Sequence, residues 1–156
     1  MPTEYHRRVQ AAILRIGHES EKIRKVWNDR RPLHIVHPWK KTALLYYPDA
    51  RFETKSGKIW LFEVMDSETG AQAQMIAHIL EPLLVEGVIA VVHIVKSETG
   101  QQILEDLTDV VLSRMTDLAG RKVDSRLRYF RVVISPEDSL SLRTIRRIFY
   151  EGGIRF

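Results

Sequence analysis

The sequence contains no cysteine, and its apolar runs are short. Without cysteine the chain forms no disulfide bond and offers no thiolate to a metal ion. No apolar run reaches the roughly 18 residues that a membrane-spanning helix needs, so we predict no membrane-embedded segment. The first ten residues, MPTEYHRRVQ, are not followed by the apolar segment of a signal peptide. The expected location is therefore the cytoplasm.

Several motifs that mark common enzyme classes are also missing. The glycine-rich phosphate loops GxxxxGK[ST] and GxGxxG are absent, and no Ser, His and Asp pattern typical of nucleophilic hydrolases is evident. These absences argue against nucleotide-binding enzymes of the P-loop and Rossmann types and against a serine hydrolase. Lysine is absent from the whole segment between Met65 and Val95.

What is present is the composition of an ordinary globular protein. The chain has 156 residues, of which 44% are hydrophobic and 28% charged. These values are typical of a single domain with a substantial core. We therefore predict one domain over residues 1–156.

The charges are strongly segregated along the chain. Residues 1–62 carry 13 Lys and Arg against 6 Asp and Glu, residues 63–120 carry 2 against 10, and residues 121–156 carry 9 against 4. Basic ends and an acidic middle predict a molecule with two faces. A basic face suits a phosphate backbone, whereas evenly paired surface charges would give no such face.

The stretch from Tyr46 to Glu68 predicts two antiparallel strands, and Ala43–Tyr47 is predicted to belong to the first of them. Residues 55–58, KSGK, are a turn cluster between apolar and aromatic strand formers. Asp49 lies six residues before this turn and Glu63 five after it. A tight turn brings the two carboxylates close across the strand pair. Because they repel, such a pair favours a divalent cation between them.

Pro48-Asp49, followed after thirteen residues by Glu63-Val64-Met65, resembles the motif of PD-(D/E)XK nucleases, the restriction-endonuclease-like superfamily. The resemblance implies that Asp49 and Glu63 bind Mg²⁺ or Mn²⁺ and serve catalysis. It also implies a backbone ligand at Val64 and an acidic ligand from the preceding helix, for which Glu19 is the candidate. The motif's lysine, which helps to position or activate the attacking water, is replaced here by Met65.

Further candidates follow from the resemblance. Glu68 could supply a third carboxylate, Gln74 occupies a place where related enzymes carry a glutamine, and Lys96 could substitute for the missing lysine. The family contains active enzymes without the lysine and inactive subunits that bind DNA or proteins. The sequence leaves two alternatives open: a metal-dependent DNA endonuclease of recombination, repair, restriction or mobile elements, or a catalytically inactive DNA-binding or protein-interaction subunit. An apolar Met65 would also suit a sheet surface covered by a helix.

The remaining elements alternate between helix and strand. Helical spacing predicts helices over 3–28, with a phase change near Gly17, over 75–84, 101–119 and 140–150. Strands are predicted at 34–37, 88–95 and 128–135. The order predicts an α/β domain with a restriction-endonuclease-like mixed sheet of four or five strands, flanked by helices on both faces. A doubly wound α/β domain is the alternative, but it would not need the opening hairpin.

The tetrapeptide SETG occurs twice, at 67–70 and 97–100, each time after a strand and before a helix. In both copies the Thr is followed three residues later by Gln, at Gln72 and Gln102. This spacing predicts a capping box at each helix start. Two equivalent helix caps explain the repeat without a phosphate site.

The predicted partner is duplex or branched DNA, and a homodimer or a larger protein complex is compatible with the sequence. We expect phosphate contacts from lysines and arginines of the basic segments. The candidates are Arg7, Arg8, Lys22, Lys25, Lys40, Lys41, Arg143, Arg146 and Arg147. A different reading is a protein-interaction subunit whose acidic middle docks onto a basic partner.

Overall fold

The structure is a computed structural model that describes residues 2–36, 43–66, 72–83, 85, 87–119 and 128–156. Within these ranges, none of the helices is both long and apolar enough to cross a membrane. The helices are α1 (Glu4–Glu19), α2 (Gln72–Leu83), α3 (Glu98–Ala119) and α4 (Leu142–Glu151). The strands are β1 (Ile23–Asn28), β2 (Leu33–Val36), β3 (Ala43–Tyr46), β4 (Ala50–Thr54), β5 (Ile59–Val64), β6 (Val88–Val95) and β7 (Arg128–Val133).

Five strands form one mixed sheet in the order β1-β4-β5-β6-β7. The pairs β1/β4 and β4/β5 are antiparallel, whereas β5/β6 and β6/β7 are parallel. The short strands β2 and β3 pair with each other in a second, two-stranded sheet. The predicted α/β class and the mixed sheet of four or five strands are confirmed.

Helices cover both faces of the main sheet. Tyr5, Val9 and Ile13 of α1 and Phe149 of α4 share a core cluster with strand residues such as Phe62. On the opposite face, a smaller cluster joins α2, α3 and the sheet through Ile79, Leu104, Val95 and Met65. The predicted arrangement of helices on both sides of the sheet is therefore confirmed.

The strand β5 is nearly covered by protein on both sides, and its side chains alternate between the two cores. Trp60, Phe62 and Val64 belong to the cluster beneath α1 and α4. Because successive residues of a strand point to opposite faces, Glu63 and Met65 lie toward α2 and α3. Because of this alternation, the acidic side chain of Glu63 lies in a buried position on the α2 side.

The prediction of a helix over 3–28 is wrong beyond Glu19. The helix α1 ends there, and residues 23–28 form the edge strand β1, paired with β4. Ile23, Val26 and Trp27 have helical spacing, but β-branched and aromatic residues also suit a strand. The phase change near Gly17 marks the end of the helix.

The predicted hairpin exists, although its first strand is shorter than expected. The turn is confirmed: the Thr54 N–H donates to the Lys58 carbonyl at 2.8 Å, and Gly57 has a φ of +81°. Residues 43–46 do not belong to this hairpin, because β3 pairs with β2 instead. Pro48, which lacks an N–H for strand pairing, separates β3 from β4. Asp49 lies immediately before β4 rather than inside a strand.

The later elements agree with the predictions within a few residues. The strand β6 spans the predicted 88–95, and its β-branched run is buried from Ala90 onward. The helix α3 starts at Glu98, and the Ser97 hydroxyl accepts the Gly100 N–H at 3.1 Å. Thr99 is therefore inside the helix and is not its cap, which corrects the predicted capping box there. The first SETG copy lies outside the described residues.

Candidate carboxylate site

Asp49 is held between α1 and β5 by its own hydrogen bonds. Its Oδ2 accepts the backbone N–H of Val64 at 2.7 Å, and its Oδ1 lies 2.9 Å from Nε2 of His6. The side-chain amide of Gln10 donates to the Asp49 carbonyl oxygen at 2.8 Å. The Asp49 side chain retains 14% exposure. It is therefore fixed in position and still open to solvent on one side.

Glu63 is almost fully enclosed, with 1% of its surface exposed. The Tyr46 hydroxyl, at the end of β3, donates to Oε1 of Glu63. Nδ1 of His78, on α2, lies 3.2 Å from Oε2. The small β2–β3 sheet thus supplies a hydrogen bond to one carboxylate oxygen, and α2 supplies an ion-pair contact to the other.

The pKa of Glu63 is raised to about 7, because burial and the nearby charge of Asp49 outweigh the opposing effects of His78 and Tyr46. Burial lowers the pKa of His78, but the hydrogen bond to Glu63 and its charge outweigh burial, so the net pKa is raised. The hydrogen bond to Asp49 raises the pKa of His6. The site is thus two interacting carboxylates, each with its own histidine.

A third acidic group lies at the same end of the sheet. The Lys96 ammonium, one residue beyond β6, forms an ion pair with Asp66, two residues beyond β5. The Thr3 hydroxyl also donates to Asp66. Burial raises the pKa of Asp66, but the bonds from Lys96 and Thr3 outweigh burial and leave it lowered. Thr3 also accepts the His6 N–H at 3.2 Å, which places the Asp66–Lys96 pair near the His6–Asp49 pair.

Met65, at the position of the motif lysine, is buried with 4% exposure. It contacts the apolar cluster of Ile79, Val95 and Leu104 between the sheet and the helices α2 and α3. The interpretation of Met65 as part of a sheet surface packed under a helix is therefore confirmed. This position supplies neither a charge nor a proton-transferring group.

The structure brings some of the predicted site residues together and leaves others apart. Asp49, Glu63 and Val64 are adjacent, and Lys96 lies at the same end of the sheet through Asp66. Glu19 is elsewhere: at the far end of α1 it pairs with Arg15 and Arg146. Gln74 lies on α2. Glu68, Lys40 and Lys41 lie outside the described residues.

The predicted phosphate-binding residues lie mainly in one layer. Arg7 and Arg8 lie on α1, where Arg8 also contacts Ser139 at 3.2 Å, just before α4. Arg146 is tied to Glu19, whereas Arg143 and Arg147 are exposed on α4. Lys22 and Lys25 are exposed at the start of β1. The basic ends of the chain are therefore neighbours on the α1 and α4 face.

Four contributors to the site were not predicted from the sequence: His6, Gln10, Tyr46 and His78. They come from three elements, with His6 and Gln10 on α1, Tyr46 on β3 and His78 on α2, and His6 is 43 residues away from Asp49 along the chain. No sequence spacing identifies His6, Gln10 or His78 as a neighbour of the acidic pair. The one available signal was that His78 is an isolated polar residue in the otherwise apolar stretch 75–80, MIAHIL.

Comparison with protein-family models, with curated proteins and with solved structures finds no match for this chain. Over the part of the chain that the structure describes, no three His, Cys, Asp or Glu side chains are grouped so as to hold a metal ion. The geometry and charge of Asp49 and Glu63 are therefore the evidence on which a function for this site rests.

Proposed function

We propose that this protein is a metal-dependent DNA endonuclease of the restriction-endonuclease-like type. The observation that supports this most directly is the convergence of Asp49 and Glu63 from neighbouring segments of one hairpin. Glu63 is 1% exposed, and its pKa is raised to about 7 by burial and by the Asp49 charge among other causes. Two repelling carboxylates held close together lower the stability of a fold. The pair is therefore better explained by a catalytic or ligand-binding role than by packing.

The surrounding architecture is compatible with that proposal. A helix (α1), an antiparallel hairpin (β4 and β5), a second helix (α2) and a parallel strand (β6) occur in this order, with β1, β2 and β3 between α1 and the hairpin. The carboxylates lie where β5 and β6 end, the edge at which open α/β sheets usually bind ligands. This similarity to the nuclease core is one of element order and site position.

The donor types present are those that a magnesium or manganese ion takes. Carboxylate oxygens of Asp49 and Glu63, with the backbone carbonyl of Val64, would hold it. Mg²⁺ keeps several waters and is often bound through only one or two carboxylates, so a third acidic ligand is not required. The buried charge of Glu63 beside a second carboxylate is the kind of charge that a cation offsets. When bound, such an ion activates water and stabilises charge on a phosphate.

Lys96 is the candidate to replace the missing motif lysine. Its ammonium is held beside the site by Asp66 and lies 4.9 Å from the centre of the Tyr5 ring. Tyr5 is itself anchored by its hydroxyl, which donates to the Ile134 carbonyl at 2.7 Å. Lys96 therefore occupies a defined position and could contact a substrate phosphate from the end of β6.

The test is cleavage of linear, supercoiled and branched DNA with Mg²⁺ or Mn²⁺. We expect Asp49→Ala and Glu63→Ala each to abolish cleavage and Lys96→Ala to reduce it at least tenfold. Glu21→Ala, which removes an exposed carboxylate beside the β4–β5 turn at the opposite end of β5 from Glu63, is the matched control and should cut normally. Cleavage that persists in both carboxylate variants would refute the assignment.

A second candidate function has its own supporting observation. Met65 is apolar and buried, and all four oxygens of Asp49 and Glu63 already have protein partners. Those features suit an inactive nuclease-like subunit that binds DNA or another protein. DNA binding by the native protein, without cleavage under any metal condition, would favour this alternative.

A further inference from the structure

We propose that His93 is a positioning residue of the carboxylate site: it ties the backbone of α2 to β6 and thereby holds His78 against Glu63. This deepens the proposed function, on which its role toward a metal ion rests, by adding a residue that acts through His78. His93 is 0% exposed and lies within the β-branched run of β6. Burial of a polar ring costs free energy unless the ring is hydrogen-bonded, so its partner indicates its role.

His93 lies next to Glu63 in the sheet. The two residues are register partners on the parallel strands β5 and β6. Because successive strand residues alternate between faces, and Phe62 and Val92 belong to the core beneath α1 and α4, both side chains lie on the α2 side. Paired strands are about 4.8 Å apart, so the two side chains are neighbours beneath the same helix.

His78 is the residue of α2 that contacts both strands. Its Nδ1 lies 3.2 Å from Oε2 of Glu63, and its carbonyl oxygen lies 3.2 Å from Nε2 of His93. The side chain of one helical residue is therefore in contact with β5, while its backbone is in contact with β6. Together the two contacts limit the distance and the rotation of α2 relative to the acidic site.

The ring of His93 is committed to this contact. A carbonyl oxygen only accepts hydrogen bonds, so Nε2 of His93 is the donor. The pKa of His93 is lowered to about 4, chiefly by burial, so the ring is neutral at pH 7 and carries its proton on Nε2. Among the residues that the structure describes, Nδ1 has no hydrogen-bond partner, and the bond to α2 is the one that the ring makes.

A proline explains why the His78 carbonyl needs a donor from outside the helix. In a regular α-helix this carbonyl accepts the N–H of the residue four positions later. That residue is Pro82, which lies inside α2 and has no N–H. A buried carbonyl without a donor lowers stability. His93 therefore supplies the hydrogen bond that the proline removes from the helix.

The position of His78 matters because it is a partner of Glu63. Groups that contact a metal-ligating side chain orient it, and their loss typically lowers metal affinity by about 10–100-fold. The His78 side chain is 26% exposed, so packing alone does not enclose it. The backbone link to β6 supplies the constraint that packing does not, and His93 thus acts on Glu63 through His78.

Three substitutions separate positioning from a purely structural role, in which His93 would only satisfy the His78 carbonyl. His93→Leu removes both the donor and the link to β6. Pro82→Ala restores an N–H at position 82, so the carbonyl gains a donor inside the helix but no link to the sheet. His93→Gln keeps an N–H donor near the place of Nε2 and therefore keeps the link.

Urea unfolding in EDTA measures the hydrogen bond itself. His93→Leu should raise the unfolding equilibrium constant about tenfold or more, because a buried carbonyl loses its donor. In the Pro82→Ala background the same change should have a clearly smaller effect, because the restored N–H satisfies that carbonyl. Equal effects in the two backgrounds would overturn the assigned role of the proline and with it the link.

The position of His78 has two readouts: its imidazole ¹H–¹⁵N NMR signals in EDTA, and the affinity for Mn²⁺ measured by calorimetry. His93→Leu should shift the signals and weaken Mn²⁺ binding about tenfold, whereas His93→Gln should stay within about threefold of native affinity. In the Pro82→Ala background, His93→Leu should still change both readouts. His18→Leu, at an exposed histidine in the last turn of α1, is the control and should change neither.

Signals and affinity that become insensitive to His93→Leu in the Pro82→Ala background would overturn the positioning role and leave a structural one. Native signals in folded His93→Leu would also overturn it. If His93→Leu does not fold alone, Pro82→Ala and the double variant provide the comparison. A native protein that binds no Mn²⁺ would refute the proposed function, whereas the NMR signals and the unfolding data in EDTA would still decide whether His93 positions His78.

Discussion

Glu63 carries a negative charge in a place where water is nearly excluded. Tyr46 donates a hydrogen bond to one of its oxygens, His78 lies in ion-pair contact with the other, and Asp49 adds a second negative charge nearby. Desolvation of a carboxylate costs several kcal/mol unless hydrogen bonds or ion pairs replace the lost hydration. The raised pKa of Glu63 indicates that its partners replace only part of that hydration. This residue therefore couples the stability of the fold to pH.

The first prediction is that folding stability falls as pH rises from about 5 to 8. In the unfolded chain Glu63 titrates near 4.5, whereas in the folded protein its pKa is about 7. Between these values the folded state binds more protons, so raising the pH favours unfolding. His78, with its raised pKa, acts in the same direction. The two together should change the unfolding free energy by about 2 kcal/mol or more.

Urea unfolding of native protein and Glu63→Gln at several pH values tests this. The glutamine cannot ionise, so the slope should become shallower; the His6–Asp49 pair still contributes to what remains. Glu137→Gln, at an exposed position, should leave the slope unchanged. A native protein that becomes more stable toward pH 8 would contradict the prediction.

Met65 supports a second prediction. Restoring the motif lysine by Met65→Lys should lower the unfolding free energy by several kcal/mol, because the position is 4% exposed and surrounded by Ile79, Val95 and Leu104. Burial lowers the pKa of such a lysine, so the unfolded state binds more protons and the lost stability should be regained as pH rises.

Thermal unfolding of Met65→Lys at pH 7 and pH 9 is the measurement. Met65→Leu keeps an apolar side chain of similar volume and should lose less than about 1.5 kcal/mol. A lysine variant as stable as the native protein would mean that the ammonium reaches an acidic partner, such as Glu63 on the same strand face.

The sequence predicted the carboxylates but not their partners, and the reason is physical. Asp49 and Glu63 belong to one hairpin, so the turn between them determines their approach. His6, Tyr46 and His78 come from three other elements, and only the packing of those elements joins them to the pair. A pattern within a short window carries no information on such contacts.

Among the elements, β1 is where local pattern and final structure disagree. Ile23, Val26 and Trp27 fit a helical stripe, yet they pair with β4 across the sheet. Pairing with a strand more than twenty residues away is a nonlocal contact, which overrides local spacing. By contrast, β6 was predicted because its unbroken β-branched run is typical of a strand covered on both faces.

A third prediction concerns the approach of α1 to this sheet. A Cβ at Gly17 would lie 2.6 Å from ring atoms of Phe52 and 2.9 Å from a methyl carbon of Val26. Gly17→Ala gains up to about 1 kcal/mol of helix propensity. We nevertheless expect a net loss of about 1–3 kcal/mol, because the helix must move away from a packed core.

Chemical denaturation compares Gly17→Ala in the native and the Phe52→Leu backgrounds. Phe52→Leu alone is destabilising, but it removes the ring atoms, so the added methyl group should cost less there. The difference between the two costs gives the coupling between the sites. Equal costs in both backgrounds would show that the Phe52 ring is not the obstacle.

At the scale of the whole molecule, the fold separates the charges that the sequence segregates. The basic first and last segments supply α1, β1 and α4, whereas α2 and α3 come from the acidic middle of the chain. The helices α1 and α4 lie on one face of the sheet and α2 and α3 on the other. The two layers therefore differ in sign, as expected for a molecule that presents one face to a polyanion.

The end of the basic layer nearest the carboxylates is the one that a DNA backbone should contact. Arg7 lies beside His6, and Arg143 is in the first turn of α4, close to where Arg8 contacts Ser139. Lys55 and Lys58 are equally exposed, but they lie in the β4–β5 turn at the opposite end of β5 from Glu63. Two pairs of cations thus differ in location but not in charge.

The last prediction compares these pairs in duplex DNA binding. Arg7→Ala with Arg143→Ala should weaken binding and lower the slope of log affinity against log salt by about 2, since each lost phosphate contact removes about 0.9. Lys55→Ala with Lys58→Ala makes the same change in net charge and should leave the slope near its native value. Equal effects of the two pairs would mean that net charge alone drives binding. A native slope near zero would reject a phosphate-binding face altogether and favour a protein partner for the acidic layer of α2 and α3.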